Sequence, residues 1–130
     1  MIKDSNTFEL GELNLPVDEV MTYVLNKYHV RPEYLWKKYP SYAVLRHVDN
    51  RKWFGLVMQV RKQQLGLEGS GSEAIMDIKL DPKEVEFRQG TPGFLSAYHM
   101  NKNHWLAMRL EQLDFKQITD LIDESYQLTK

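Results

Sequence analysis

Apolar residues recur at helical spacing twice, once near the start of the chain and once at its end. Val17, Val20, Met21, Val24, Leu25 and Tyr28 fall on one face of a helix that opens at Pro16. Proline suits a first helical turn, where its missing N–H has no partner to lose. Asp18 and Glu19 in the first turn and Lys27 in the last complement the helix dipole. Pro32 bars continuation, so the helix is expected to end near His29. At the other end, Asp114-Phe115-Lys116-Gln117 reads as a capping signature. Phe115, Ile118, Leu121, Ile122 and Tyr126 then form an apolar stripe.

Between the two helices the period changes to two. Residues 42–48 and 53–60 read as strands joined by the turn Asp49-Asn50-Arg51-Lys52, with residues 61–64 prolonging the hairpin. Ala74, Met76, Ile78 and Leu80 share one side of a third strand. Asp81-Pro82-Lys83-Glu84 combines an N-cap, a first-position proline and a third-position glutamate, and predicts a short helix stopping at Gly90. After the Pro92-Gly93 turn, Phe94, Leu95, Ala97 and Tyr98 predict a short buried strand. The polar corner Asn101-Lys102-Asn103-His104 turns the chain into a returning strand that begins at Trp105. Residues 33–41 read as a short turn or loop with its aromatics folded inward. Residues 66–72 are a glycine-rich loop. It lacks the lysine and following helix of a phosphate-binding P-loop. Residues 1–15 are weakly patterned; Phe8, Leu10, Leu13 and Leu15 suit either a docked arm or a frayed terminus.

The order is helix, three strands, short helix, two strands, helix, without β-α-β alternation. It predicts an α+β fold: an antiparallel sheet of about five strands with the N- and C-terminal helices packed on one face. At 130 residues this is one domain, placed over residues 16–130, with an unassigned arm before it.

Net charge is −1, which argues against a dedicated nucleic-acid binder. Its distribution argues differently. Residues 31–65 hold eight Lys and Arg against two carboxylates, a net of +6, in an otherwise acidic chain. Such asymmetry bears on partners rather than on fold. No cysteine is present, so there is no disulfide framework, thiolate metal site or cysteine nucleophile. Neither a signal peptide nor a membrane-length apolar run is visible, and the expected location is the cytoplasm.

Candidate chemistry is sparse. His99 and His104 lie five apart across a turn, which is not the spacing of a helical zinc pair, and no third ligand is apparent. Ser96 has no glycine elbow around it. Glu84, Glu86 and Asp77 read as a helix cap, a solvated face and a strand edge. No cofactor, metal or catalytic group is called for. Trp36, Trp53 and Trp105 read as core or core-edge aromatics. Trp53 follows Arg51-Lys52 at a hairpin tip, where an aromatic beside basic groups also suits a nucleic-acid surface. A charged tip equally keeps a sheet edge soluble.

Tyr98-His99-Met100-Asn101-Lys102-Asn103-His104-Trp105 resembles the hallmark of the MmcQ/YjbR family. Pro32-Glu33-Tyr34-Leu35-Trp36, the strand at 42–48, Ile78-Lys79-Leu80-Asp81-Pro82 and Asp123-Glu124-Ser125-Tyr126 resemble it too. The resemblance spans residues 16–130. It implies a frataxin-like (CyaY-like) α+β fold and DNA binding through hairpin wings, and the expected role is that of a DNA-binding or regulatory protein without catalysis. Double-stranded DNA would then be the partner, with Arg46, Arg51, Lys52, Trp53, Arg61, Lys62 and Lys102 at the interface. Phosphate contacts of that kind position a protein without reading bases. The alternative is a small-molecule or protein-binding module using an aromatic cleft near Trp36, Tyr98 and Trp105. Within the hallmark, Tyr98, His99, Asn101, Lys102, His104 and Trp105 are expected to serve structure or a ligand. The side chains of Asn101, Lys102 and His104 are expected to bond backbone in the turn.

Overall fold

The structure, a computed structural model, describes residues 15–130. The expected arm therefore lies outside the described residues up to residue 14. The elements are α1 (Leu15–Tyr28), β1 (Ala43–Arg46), β2 (Trp53–Arg61), a 3-10 turn (Lys62–Leu65), β3 (Ser72–Lys79), α2 (Pro82–Arg88), β4 (Phe94–Ser96), β5 (Trp105–Arg109) and α3 (Phe115–Leu128). The five strands form one antiparallel sheet in the order β1-β2-β3-β5-β4. The α+β expectation is borne out.

Local chemistry sets the element ends. Asp114 and Gln117 form a reciprocal capping box at the start of α3. The Asp81 carboxylate accepts the Lys83 N–H at 3.0 Å and caps α2, with Pro82 at its first position. α1 ends at Tyr28, next to the expected end near His29. His29 takes a left-handed φ of 59° while its N–H still donates to the Leu25 carbonyl. Of residues 61–64, only Arg61 prolongs the strand, pairing with Ser72; the chain then tightens into the 3-10 turn. Gly93, with φ of 90°, lets the chain turn against Leu113, whose side chain occupies the space a Cβ would need.

Both long helices cover one side of the sheet. Val20 and Val24 of α1 and Ile118, Leu121 and Ile122 of α3 pack with Ala43, Leu45, Val57, Met76, Ile78 and Met108. Three residues of α3 weld it in place. The Ser125 hydroxyl donates to the Phe54 carbonyl at 2.7 Å and accepts the Lys79 N–H at 2.9 Å, tying the helix to β2 and β3. The Asp123 carboxylate accepts from Tyr23, Tyr28 and Lys27 of α1 at 2.6–2.9 Å. Tyr126 stacks on Tyr28 at 3.7 Å between ring centroids. The closing Asp123–Tyr126 signature is thus a fastening of helix to helix and helix to sheet.

The opposite side is also buried. Val44, Leu56, Met58, Val60, Ile75 and Ala107 form a second cluster, covered by Trp36, Trp53, Leu95, Tyr98 and Met100. Among the described residues, no long helix supplies this cover. Two connecting segments do, residues 33–42 and 97–104. Burial on both sides explains why β2 and β3 read as near-continuous apolar runs.

Candidate functional site

A bulge aims the first aromatic of the site. Ala43, Val44 and Leu45 pair with Val57, Leu56 and Gly55, but Arg46 pairs with Trp53, one residue out of register. Without the extra residue, Trp53 would share the side of Gly55 and Val57, toward the helices. The bulge instead turns Trp53 onto the opposite side and Phe54 into the helix-side core.

There Trp53 meets Trp36 edge-to-face at 6.0 Å, and Trp36 meets Tyr42 in the same way at 6.0 Å. Tyr39 stacks on Tyr42 at 4.8 Å. Leu56 of β2 makes the floor, and His99 and Met100 close the far wall. These residues enclose a cavity of about 330 Å³. That volume is at the lower end of small-molecule sites. His99 holds a left-handed φ of 68°, uncommon outside glycine, and its ring stands 6.1 Å from that of Tyr42. Burial first, then the neighbouring Tyr98 and Tyr39, raises the Tyr42 phenol's pKa, so it stays a neutral hydrogen-bonding group. The Tyr39, Tyr42 and His99 side chains make no hydrogen bond to any described residue.

The expected cleft near Trp36, Tyr98 and Trp105 is corrected in part. Trp36 lines the cavity; Tyr98 stands beside it through His99, at 4.1 Å; Trp105 is buried and does not line it. The expectation that the 33–41 aromatics fold inward holds for Trp36 alone. Tyr34 and Tyr39 are exposed, and Tyr39 only edges the cavity mouth.

Asp77, paired with the cavity's Leu56, is unexpected in its position. It is not at a strand edge. β3 is the central strand, and Asp77 pairs with Leu56 on one side and Ala107 on the other, with no solvent exposure. Its Oδ1 accepts the Tyr98 N–H at 3.3 Å. Its Oδ2 is the one buried side-chain oxygen among the described residues without a partner. Burial pushes the carboxyl up to about 7, against the opposing pull of the Tyr98 N–H and of the Lys102 ammonium.

The hallmark corner is largely self-bonded. The Asn101 Oδ1 accepts the Asn103 N–H at 2.8 Å, and the Asn101 carbonyl accepts the Trp105 N–H at 2.9 Å. The Lys102 ammonium donates to the Ala97 carbonyl at 2.8 Å. His104 differs from expectation. Its side chain is exposed and bonds no described backbone group; its backbone carbonyl does the joining, accepting the Leu80 N–H at 3.0 Å.

The basic residues fall into separate groups. The Arg46 guanidinium grips Glu33 with two bonds, at 3.0 and 2.6 Å, and Arg51 reaches the same carboxylate at 3.2 Å. Those arginines, Arg46 first, hold the Glu33 carboxyl below its usual range. Lys52 stands exposed on the turn beside them. Arg61 and Lys62 lie at the other end of β2, about 26 Å from Trp53 at the rise of a strand. Trp53 itself is half-buried against Trp36 rather than displayed at the hairpin tip.

Sequence reasoning missed Tyr39, Tyr42, Leu56, Met100, Asp77 and Glu33. Two signals were present: the density of aromatics between Pro32 and Tyr42, and a lone carboxylate inside the apolar run Ala-Ile-Met-Asp-Ile.

The family model described as YjbR matches residues 25–128. The uncharacterized protein YyaQ of Bacillus subtilis (strain 168) is 40% identical over 114 residues, 87% of this chain and 97% of that protein. A Pseudomonas syringae protein in a crystal structure superposes with a TM-score of 0.84 at 38% identity, over 87% of this chain and 97% of the other. A Deinococcus radiodurans protein with a DUF419 domain matches with a TM-score of 0.63 at 20% identity, over 86% of this chain and 76% of the other, a likeness of fold alone.

Proposed function

This chain belongs to the YjbR family, and we propose that it is a binding module that takes a flat, largely apolar small molecule into the cavity between Trp36, Tyr42 and Trp53. One observation carries this reading: rings from two separate segments, set edge-to-face, keep a cavity of about 330 Å³ open over the sheet. Aromatic walls contribute about 0.5–1.5 kcal/mol per well-placed ring contact beyond simple burial. The Tyr39 and Tyr42 hydroxyls and the His99 imidazole supply the few polar groups that orient such a ligand. The cysteine-free chain suits the cytoplasm as the place of action.

Double-stranded DNA is the second reading, favoured by the +6 charge of residues 31–65. It is the weaker one. Arg46 and Arg51 share Glu33, Lys102 is engaged with the Ala97 carbonyl, and Arg61 and Lys62 stand a strand length from Lys52. Phosphate binding needs cations that are free and gathered on one face.

The test is a titration with indole and 2-naphthol, followed through methionine methyl resonances. The Met100 methyl is expected to shift, while Met76 and Met108, on the helix side of the sheet, stay still. Trp53→Ala should abolish the shift. A silent Met100 at millimolar probe, or an unaltered response in Trp53→Ala, overturns the reading. In parallel, duplex binding is expected no tighter than the non-specific range of about 10⁻⁴–10⁻⁶ M. Tighter, salt-sensitive binding that Arg51→Ala/Lys52→Ala removes would favour DNA instead.

A further inference from the structure

We infer that the Asp77 carboxyl is a proton-operated latch on residues 97–104, holding that segment over the sheet while neutral and loosening it when ionised. The inference concerns regulation of the cavity proposed above and rests on that reading only for its consequence.

An acid at the centre of a sheet is out of place. Leu56 and Ala107 flank Asp77 on the same side, and an apolar residue of similar size would fill the space without a buried charge, though it would leave the Tyr98 N–H without its acceptor. Breaches of local rules of this kind concentrate where function requires them. Among the described residues, the only hydrogen-bond partner of the Asp77 carboxyl is the Tyr98 N–H, in the segment whose His99 and Met100 close the cavity. Its cross-strand neighbour Leu56 is the cavity floor. Asp77 therefore sits at the joint between floor and lid.

The neutral carboxyl tolerates this setting. An ionised one has, among the described residues, a single N–H for two oxygens, and Oδ2 meets no donor there. Admitting water to Oδ2 means moving the cover, and that cover is the 97–104 segment. The surrounding charges do not supply an alternative. From the segment itself, Tyr98, His99 and Lys102 face this region. The Lys102 ammonium attracts the carboxylate but is held by the Ala97 carbonyl. Tyr42 comes from the other covering segment. On β3, Glu73 is committed to Arg109 at 2.8 Å, and Lys79 lies two residues away. β2 and β5 present only Leu56 and Ala107. The burial that raises the Asp77 carboxyl to about 7 places the switch near neutral pH.

The experiment follows two signals in the ligand-free protein from about pH 5.5 to about pH 8.5, a window spanning a carboxyl raised to neutrality. One is the Asp77 carboxyl ¹³C resonance. The other is the hydrogen-exchange protection of the Tyr98, His99 and Met100 amides, corrected for intrinsic exchange. The carboxyl is expected to titrate near neutrality, and protection to fall as pH rises, about tenfold per pH unit, until it levels off at the carboxyl's midpoint. Asp77→Asn should leave protection independent of pH, whereas His99→Gln should keep the step. A carboxyl titrating in the ordinary acid range, or a step that survives in Asp77→Asn, overturns the latch. Should Asp77→Asn fail to fold, a wild-type fall in protection that levels off at the carboxyl's midpoint still supports the latch, and a fall that continues past that midpoint, or none at all, refutes it. A cavity that binds no probe despite an intact step sinks the binding reading alone. A binding cavity with pH-independent Tyr98 protection sinks the latch alone.

Discussion

Replacing Asp77 with Asn keeps the shape of the side chain and removes its charge, so the pH dependence of the resulting stability change isolates one group. The carboxyl moves from 3.8 to about 7 on folding, a rise of about three pH units. At 1.36 kcal/mol per unit, the folded state holds that proton more tightly by about 4 kcal/mol. The sign follows from proton counting. Below pH 3.8 both states carry the proton and Asp77 contributes no pH dependence. Between 3.8 and about 7 the folded state binds one proton more than the unfolded, so stability falls as pH rises. Above about 7 both are ionised and the loss, up to about 4 kcal/mol, is complete. Against a typical domain stability of about 5–15 kcal/mol this is large. Glu33 and Asp123, whose carboxyls are lowered by their partners, pull the other way and weaken the fold as pH falls. Only the difference between variant and wild type therefore reports on Asp77. Urea unfolding at about pH 4, 6 and 8 should show Asp77→Asn gaining steadily on wild type with pH, by about 4 kcal/mol in total or less. It will be less if the 97–104 segment opens, because opening sets a ceiling on the penalty. A difference that varies by under about 1 kcal/mol across that range would show that Asp77 is not held neutral by burial, and would remove the basis of the latch.

Trp105→Ala, which empties a buried site at the start of β5, is expected to lower stability by about 3–5 kcal/mol in chemical denaturation; a loss below about 1 kcal/mol would place the ring at the surface. Ser125→Ala strips one bonding partner each from the Phe54 carbonyl and the Lys79 N–H, and should lower stability by about 1–3 kcal/mol without altering probe binding at the cavity across the sheet. An unchanged melting temperature would show that the two Ser125 bonds add nothing to what the apolar face, Asp123 and Tyr126 already hold.

The sequence by itself determined most of the scaffold, because its signals are local. The capping box at Asp114, the Asp81-Pro82 helix start and the side shared by Ala74, Met76, Ile78 and Leu80 all follow from spacing a few residues long. The family hallmark was legible for the same reason, as a contiguous run from Tyr98 to Trp105. Only the tertiary structure decided the site. Strand order made β3 central and turned Asp77 from a presumed edge residue into a buried acid. A one-residue bulge reversed the facing of Trp53, and parity counted along a strand cannot anticipate an inserted residue. Glu33 claimed Arg46 and Arg51 because a single bridge to Val44 brings a distant loop beside β1. The cavity itself joins residues 36–42, 53–56 and 99–100. Periodicity records which side of an element is apolar, whereas the meeting of such distant segments depends on sheet pairing, which is set by the packing of the whole chain.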